Sequence, residues 1–293
     1  MLDKICATVI LYNPDESILT NINTYINNVS KLFVVDNSEI PNSELINKLL
    51  SQYPTIEYIN NKSNLGIATA LNIACDKAIT QKMDWILTMD QDSKFVNFKS
   101  FLACFIELTQ KSQDIGIITP NHTGDSSLNF KDKKCLKEEE KEVVITSGNM
   151  INLKYFNHIG RFDDKLFIDM VDYDFSNKMI LNNLKIHLLS NHYIIHNIGE
   201  VFQRKNLFTR KVKSKIEHNA QRVYYMTRNR LYLSTVYSKK FPKEYNLLKT
   251  LNILFIHDIT KILLYEDKKL LKIKAKTIGL IHFITNQYGR YNV

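Results

Sequence analysis

The first hundred residues alternate short apolar runs with longer amphipathic stretches, and this alternation limits the fold more than any other feature of the chain. Strand-like runs occupy Ile5–Leu11, Lys31–Val35, Ile56–Ile59 and Trp85–Met89, and helix-period stretches cover Ser17–Val29, Ser43–Gln52 and Ile67–Ile79 between them. Parallel strands need a long crossover, usually a helix, and such crossovers are right-handed. The pattern predicts an α/β protein built on a mostly parallel central sheet.

In a sheet of this kind, ligands bind in the crevice beyond the carboxyl ends of the strands. The residues that follow the four runs are Tyr12-Asn13-Pro14, Asp36-Asn37-Ser38, Asn60-Asn61 and Asp90-Gln91-Asp92. Polar clusters therefore stand where a ligand would be met.

The 293 residues carry a net charge of +9, but unevenly. Residues 1–200 hold 19 Lys+Arg against 25 Asp+Glu, whereas 201–293 hold 20 against 5. The expected organisation is a ligand-binding domain over 1–200 and a basic, mainly helical region over 201–293, with helical apolar spacing in Leu247–Leu264 and Leu270–Ile284. Asn121–Glu142, dense in lysine and glutamate, reads as a solvated loop without chemistry.

Several function classes drop out. Eight glycines leave little room for a glycine-rich phosphate cradle, and neither G-x-x-x-x-G-K-[ST] nor G-x-G-x-x-G occurs. A G-x-S-x-G nucleophile elbow is missing too. Cys6, Cys75, Cys104 and Cys135 are scattered without zinc-ligand spacing, which predicts free thiols in a reducing compartment. The beginning of the sequence lacks the basic region of a signal peptide, and no apolar window approaches the ~18 to 20 residues of a membrane span. The expected location is cytoplasmic, with any membrane contact peripheral.

Two carboxylates at i and i+2, Asp90 and Asp92, can approach one hard cation such as Mg²⁺ or Mn²⁺, which in turn can neutralise a diphosphate. A solvated turn would have the same sequence, and the position at a strand end is what favours the cation. Asp169, Asp172 and Asp174 open a predicted helix, where acidic residues favour the positive end of the dipole and where one carboxylate could serve as a general base. His196 closes a strand-like run and is either a structural histidine or a ligand. Arg228, on a predicted helix, could meet phosphate oxygens or lie on an exposed face.

Taken in order, these segments resemble the family 2 glycosyltransferases of GT-A fold, and most closely the bacterial rhamnosyltransferases that build surface polysaccharides. The resemblance rests on Val9-Ile-Leu-Tyr-Asn-Pro14, Val34-Val-Asp-Asn-Ser38, Asn64-Leu-Gly-Ile-Ala-Thr-Ala-Leu-Asn72, Met89-Asp-Gln-Asp-Ser93, Ser147-Gly148, Gly160-Arg-Phe-Asp163, Phe167-Ile-Asp-Met-Val-Asp172, His196 and Tyr225-Met-Thr-Arg-Asn229. It implies that Asp36, Tyr12 and Asn13 line a nucleobase pocket and that Asn64 and Gly66 flank the nucleotide. Asp90, Gln91 and Asp92 would engage the donor, with Asp90, Asp92 and His196 toward Mg²⁺ or Mn²⁺ and Arg228 toward phosphate. Asp172 falls at the base position. The commoner Glu-Asp pair is replaced there by Val171-Asp172, which leaves Asp169 and Asp174 as substitutes.

The implied reaction is an inverting transfer from a nucleotide-sugar, dTDP-rhamnose ahead of a UDP-sugar, to a saccharide or lipid-linked acceptor. The basic C-terminal region suggests an anionic membrane surface as a partner. Two rivals from other classes have less support: a nucleotidyltransferase would carry a glycine-rich basic loop after its first strand, and a nucleic-acid binder would leave the acidic strand ends without purpose.

Overall fold

The computed structural model describes residues 2–125, 135, 138–196, 201–205 and 212–291. The chain divides into two compact units, one formed by Met1–Asp163 and Val171–Asn197, the other by Asp164–Met170 and Ile198–Val293.

The first unit is a nine-stranded sheet with helices packed on it. Its parallel half is built from β1 (Ile5–Leu11), β2 (Lys31–Asp36), β3 (Ile56–Asn60) and β4 (Trp85–Asp90), in the spatial order β3-β2-β1-β4. All seven residues of β1 are buried, as a strand covered on both faces requires. The crossovers are α1 (Ser17–Asn23), α2 (Ser43–Gln52) and α3 (Ile67–Thr80). On α3 the side chains turned inward include Ala68, Ala70, Ala74 and Ala78, small enough to let the helix lie close to the sheet. Asn42 caps α2 by accepting from the Leu45 N–H at 3.2 Å, which explains the abrupt start at Ser43.

Past β4 the sheet becomes mixed. After β5 (Lys94–Phe95) and α4 (Phe98–Lys111), β6 (Ile115–Thr123) pairs antiparallel with β8 (Asn149–Asn152) and parallel with β9 (Lys185–Ile195), while β7 (Glu138–Glu140) pairs with β9. The loop expected at Asn121–Glu142 is thus bracketed by strand residues at both ends; 126–134 and 136–137 lie outside the described residues. Helices α5 (Leu153–Phe156) and α6 (Val171–Leu181) complete the unit, with Phe162 stacked on Phe175 at 4.0 Å.

The expectation of four free thiols is corrected. Cys104 on α4 and Cys135 form a disulfide with Cα atoms 5.2 Å apart, while Cys6 and Cys75 are free and buried. Nothing in a separation of 31 residues announces this pairing.

The second unit is chiefly helical. A hairpin of β10 (Val201–Lys205) and β11 (Val212–Ile216) precedes α7 (Ala220–Tyr237), capped by Asn219. There follow α8 (Leu247–Asn252), a π turn at Ile253–His257, α9 (Asp258–Tyr265) and α10 (Lys269–Ile284). No helix among the described residues is long and apolar enough to cross a membrane.

Candidate active site

Register brings the predicted clusters together. Leu11 pairs with Asp36, Asp36 with Asn60, and Ile10 with Asp90, so the carboxyl ends of β1 to β4 finish side by side. The loops that leave them are tied to one another. The Tyr12 N–H donates to Gln91 Oε1 at 2.8 Å and Gln91 Nε2 returns a bond to the Tyr12 carbonyl at 3.2 Å. Asn13, in the left-handed region at φ 47°, donates its N–H to Ser38 Oγ at 2.8 Å. Asn13 tolerates that backbone because asparagine visits it more readily than most residues. Tyr12 itself is 44% exposed, so its ring is available to a ligand.

Asp36 is more enclosed than a ligand-facing carboxylate would be. It is fully buried, accepting from the Ser38 N–H at Oδ1 and from the Tyr58 hydroxyl at Oδ2, both at 2.8 Å. Burial, helped by the Asp36 carboxylate, pushes the Tyr58 phenol up, which keeps it a donor. Next to it, Asn37 Nδ2 donates to the Gly66 carbonyl at 3.1 Å, and Asn64 Oδ1 accepts the Gly66 N–H at 3.0 Å. Gly66 sits at φ 86° as the residue that starts α3, a backbone that suits glycine. Asn64 and Gly66 thus shape the loop that enters α3.

Asp90, Asp92 and His196 converge. Each offers one ligand atom, and these atoms lie within 4.8 Å of one another. His196 Nδ1 stands 3.6 Å from Asp92 Oδ1 and 3.9 Å from Asp90 Oδ2. Two carboxylate oxygens and an imidazole nitrogen form a mixed hard-donor set that fits Mg²⁺ or Mn²⁺, with room for further oxygen ligands because all three side chains are partly exposed. Asp90 and Asp92 come from the end of β4; His196 arrives from the end of β9, more than a hundred residues later.

A supporting shell surrounds them; Ser93, Ser147 and Gly148 stand in segments that carry the resemblance but had no role assigned, and His122 stands in none. Ser93 Oγ is 2.7 Å from His196 Nδ1, and the His196 backbone N–H donates to the Thr123 carbonyl at 3.0 Å. Ser147 Oγ accepts the Asp90 N–H at 3.1 Å, while the Ser147 carbonyl lies 2.8 Å from His122 Nε2. The His122 ring meets that of His196 edge-on at 6.1 Å, and burial holds its imidazole below the ordinary range. His122 stands in the stretch read as a loop without chemistry. Gly148, at φ 88°, has no room for a side chain: a Cβ would come within 3.0 Å of Pro120 and Ile194.

The three aspartates at the start of α6 have different surroundings. Asp174 is buried and forms an ion pair with Lys178 at 2.6 Å, and Lys178 also donates to the Arg161 carbonyl. Asp169 belongs to the second unit, where burial raises its pKa and Arg222, at 3.1 Å, opposes that rise. Asp172 is half-buried and accepts from the Tyr173 N–H at Oδ1.

Arg228 departs from the expectation of a phosphate contact. It is fully buried within the second unit, donating to the Lys165, Leu166 and Gly289 carbonyls, the Tyr224 hydroxyl and Asn229 Oδ1. Its donors are occupied by protein oxygens, so it holds structure. Asn229 beside it donates from Nδ2 to the carbonyls of Leu166, Ile168 and Asp169 at 2.8 to 2.9 Å. The segment so held includes Phe167, Asp169 and Met170 at φ 62°, 62° and 67°, left-handed positions that residues with side chains rarely adopt.

Known proteins resemble the chain over most of its length. The dTDP-rhamnosyl transferase RfbF of Shigella flexneri is 28% identical over 249 residues, covering 78% of this chain and 79% of that one. Among solved structures, GalNAc-T7 with UDP, GalNAc and Mn²⁺ superposes with a TM-score of 0.59 at 13% identity, across 97% of this chain and 58% of that one. The mannosyltransferase PcManGT of Pyrobaculum calidifontis, in complex with GDP-Man and Mn²⁺, gives 0.58 at 10% identity over 96% and 75%. At such identities the solved structures speak for the fold, which is of GT-A type. The sequence profile of glycosyl transferase family 2 matches residues 6–157, more than half of the protein. The chain belongs to glycosyl transferase family 2 and is a glycosyltransferase.

Proposed function

We propose that the protein transfers L-rhamnose from dTDP-rhamnose to a saccharide or lipid-linked acceptor, inverting the anomeric carbon, in the synthesis of a bacterial surface polysaccharide such as a capsule, O-antigen or cell-wall glycan. The observation that carries the reaction class is the convergence of Asp90, Asp92 and His196 at the strand ends; the relative named as a dTDP-rhamnosyl transferase favours the donor.

Asp90, Asp92 and His196 would hold a divalent cation, whose charge offsets that of the diphosphate leaving group. Tyr12, Asn13 and Gln91 line the entrance to the nucleotide site, Asn64 and Gly66 form the loop beside it, and Asp36 braces it from beneath. Asp172 accepts the proton of the acceptor hydroxyl as the new C–O bond forms. The bond from the anomeric carbon to the diphosphate oxygen breaks on the opposite face, and the diphosphate keeps the electron pair. The protein works at the cytoplasmic face of a membrane, held there peripherally.

A second reading, a UDP-sugar donor, is favoured by the neighbour that carries UDP and GalNAc. Calorimetric titration of dTDP, UDP and GDP, each with and without Mn²⁺, tests both. Tight, Mn²⁺-dependent binding of dTDP that is weakened in Asp92→Asn is the expected result. Preference for UDP would move the donor to the second reading, and no binding of any nucleotide would remove the transferase assignment of this site.

A further inference from the structure

Helix α10 is inside-out. Its buried side is Lys272, Ala275, Lys276 and Gly279, while Leu270, Lys274, Thr277, Ile281 and Ile284 are exposed. With 3.6 residues per turn, those five positions fall within an arc of about 80°, a stripe ~21 Å long on one side of the helix, flanked in the first turn by Lys269 and Leu271, which are also exposed. The buried side meets α7, closely enough at Gly279 that a Cβ there would stand 2.9 Å from the Tyr224 carbonyl.

The inward lysines are neutralised. Lys272 pairs with Glu217 and Glu266, and Lys276 with Asp258 at 3.0 Å. Three of the five acidic residues of 201–293 are taken up in this way, which leaves the outside cationic. Between Leu247 and Arg290, Lys249, Lys268, Lys269, Lys274 and Arg290 are exposed against Asp267 alone. The same stretch holds half of the exposed large hydrophobic side chains among the described residues, with Leu270 84% and Leu248 78% exposed.

A water-facing helix places its charges outward and its leucines inward. We infer that the outward face of α10, with the lysines around it, lies on an anionic lipid bilayer, its apolar stripe in the headgroup boundary and its cations against lipid phosphates. Charge selects this occupant over a second copy of the chain. An isologous pair would bring cation against cation, whereas an anionic bilayer complements both the charge and the apolar stripe. No helix among the described residues is long and apolar enough to cross, and the contact inferred is with the surface. The inference rests on the peripheral location proposed above and assigns it to a face.

Flotation of the full chain with phosphatidylcholine vesicles, and with vesicles that also contain phosphatidylglycerol, tests it. The wild type should float with the anionic vesicles only, and less at high salt. Leu270→Gln/Ile281→Gln/Ile284→Gln should float at least about tenfold less well, and Lys268→Glu/Lys269→Glu/Lys274→Glu should lose the preference for anionic lipid. These positions are exposed, so folding is not at risk, and unchanged nucleotide titration in both variants checks the fold. Equal flotation on both vesicle types, or full flotation of the glutamine variant, overturns the inference. So does a wild-type dimer that does not float and that the glutamine substitutions convert to monomer, which would assign the face to a second copy. Flotation of a wild type that binds no nucleotide would remove the transferase site and leave this surface standing.

Discussion

In the first unit Asp90, Asp92 and Asp172 stay partly open to solvent at the ends of apolar strands or the start of a helix, whereas in the second unit Arg228, Lys272 and Lys276 are buried and paired. The difference separates two uses of charge. A carboxylate that keeps contact with solvent can exchange a proton or accept a cation. A buried cation already surrounded by carbonyls or carboxylates has no further bonds to offer, and its removal strands its partners. Substitution in the first unit should therefore be felt in rate and ligand affinity, and substitution in the second in stability.

The sharpest test is Asp172→Asn, expected to lower kcat by ~10² to 10⁴ with nucleotide affinity retained and the urea midpoint little changed. Near wild-type turnover would remove Asp172 from the chemistry. Lys272→Met should do the reverse. It removes the buried cation from Glu217 and Glu266, which keep the Asp267 N–H and Lys261 respectively, and urea unfolding should report a loss of about 1.5–3 kcal/mol, with unchanged Mn²⁺-dependent nucleotide binding. If Lys272→Met remained as stable as the wild type, the contrast between the units would fail. A third effect is smaller. His196→Ala removes one of the three donor groups and should weaken Mn²⁺ binding at least about tenfold, measured by calorimetry, with little change in stability.

The smallest effect concerns His218, whose pKa is lowered chiefly by burial and then by Arg222. The folded imidazole takes up its proton less readily than the unfolded one. Its contribution is therefore intact above about pH 6.5 and lost as the pH falls from there through the lower folded value. His218→Gln should flatten stability against pH in that window. An unchanged slope would assign the acid sensitivity to other groups.

The parallel half of the sheet was legible because its signals are local. Ile5–Leu11 and Ser43–Gln52 coincide with β1 and α2, and each remaining predicted strand of that half is right to within one residue. His196 could be suspected from its place after an apolar run. Its neighbour His122 could not, since what makes it relevant is the pairing of β6 with a segment of β9 some seventy residues away. Arg228 misled for a related reason: an arginine on a helix reads the same whether it faces phosphate or a ring of carbonyls. The Cys104–Cys135 link likewise depends on a distance that no spacing reveals.

The turn through Phe167, Asp169 and Met170 bears on the order in which the molecule can be made. Its backbone is left-handed without glycine, and the groups that hold it, the Asn229 amide and the Arg228 guanidinium, are about sixty residues downstream. A ribosome has translated all of α6 and β9 before either residue exists, so the turn cannot close during synthesis of the first 197 residues. Because Asp164–Met170 belongs with the C-terminal helices, no single cut divides the chain into its two units. Residues 198–293 made alone would present Arg228 and Asn229 with no carbonyls of that turn to bind.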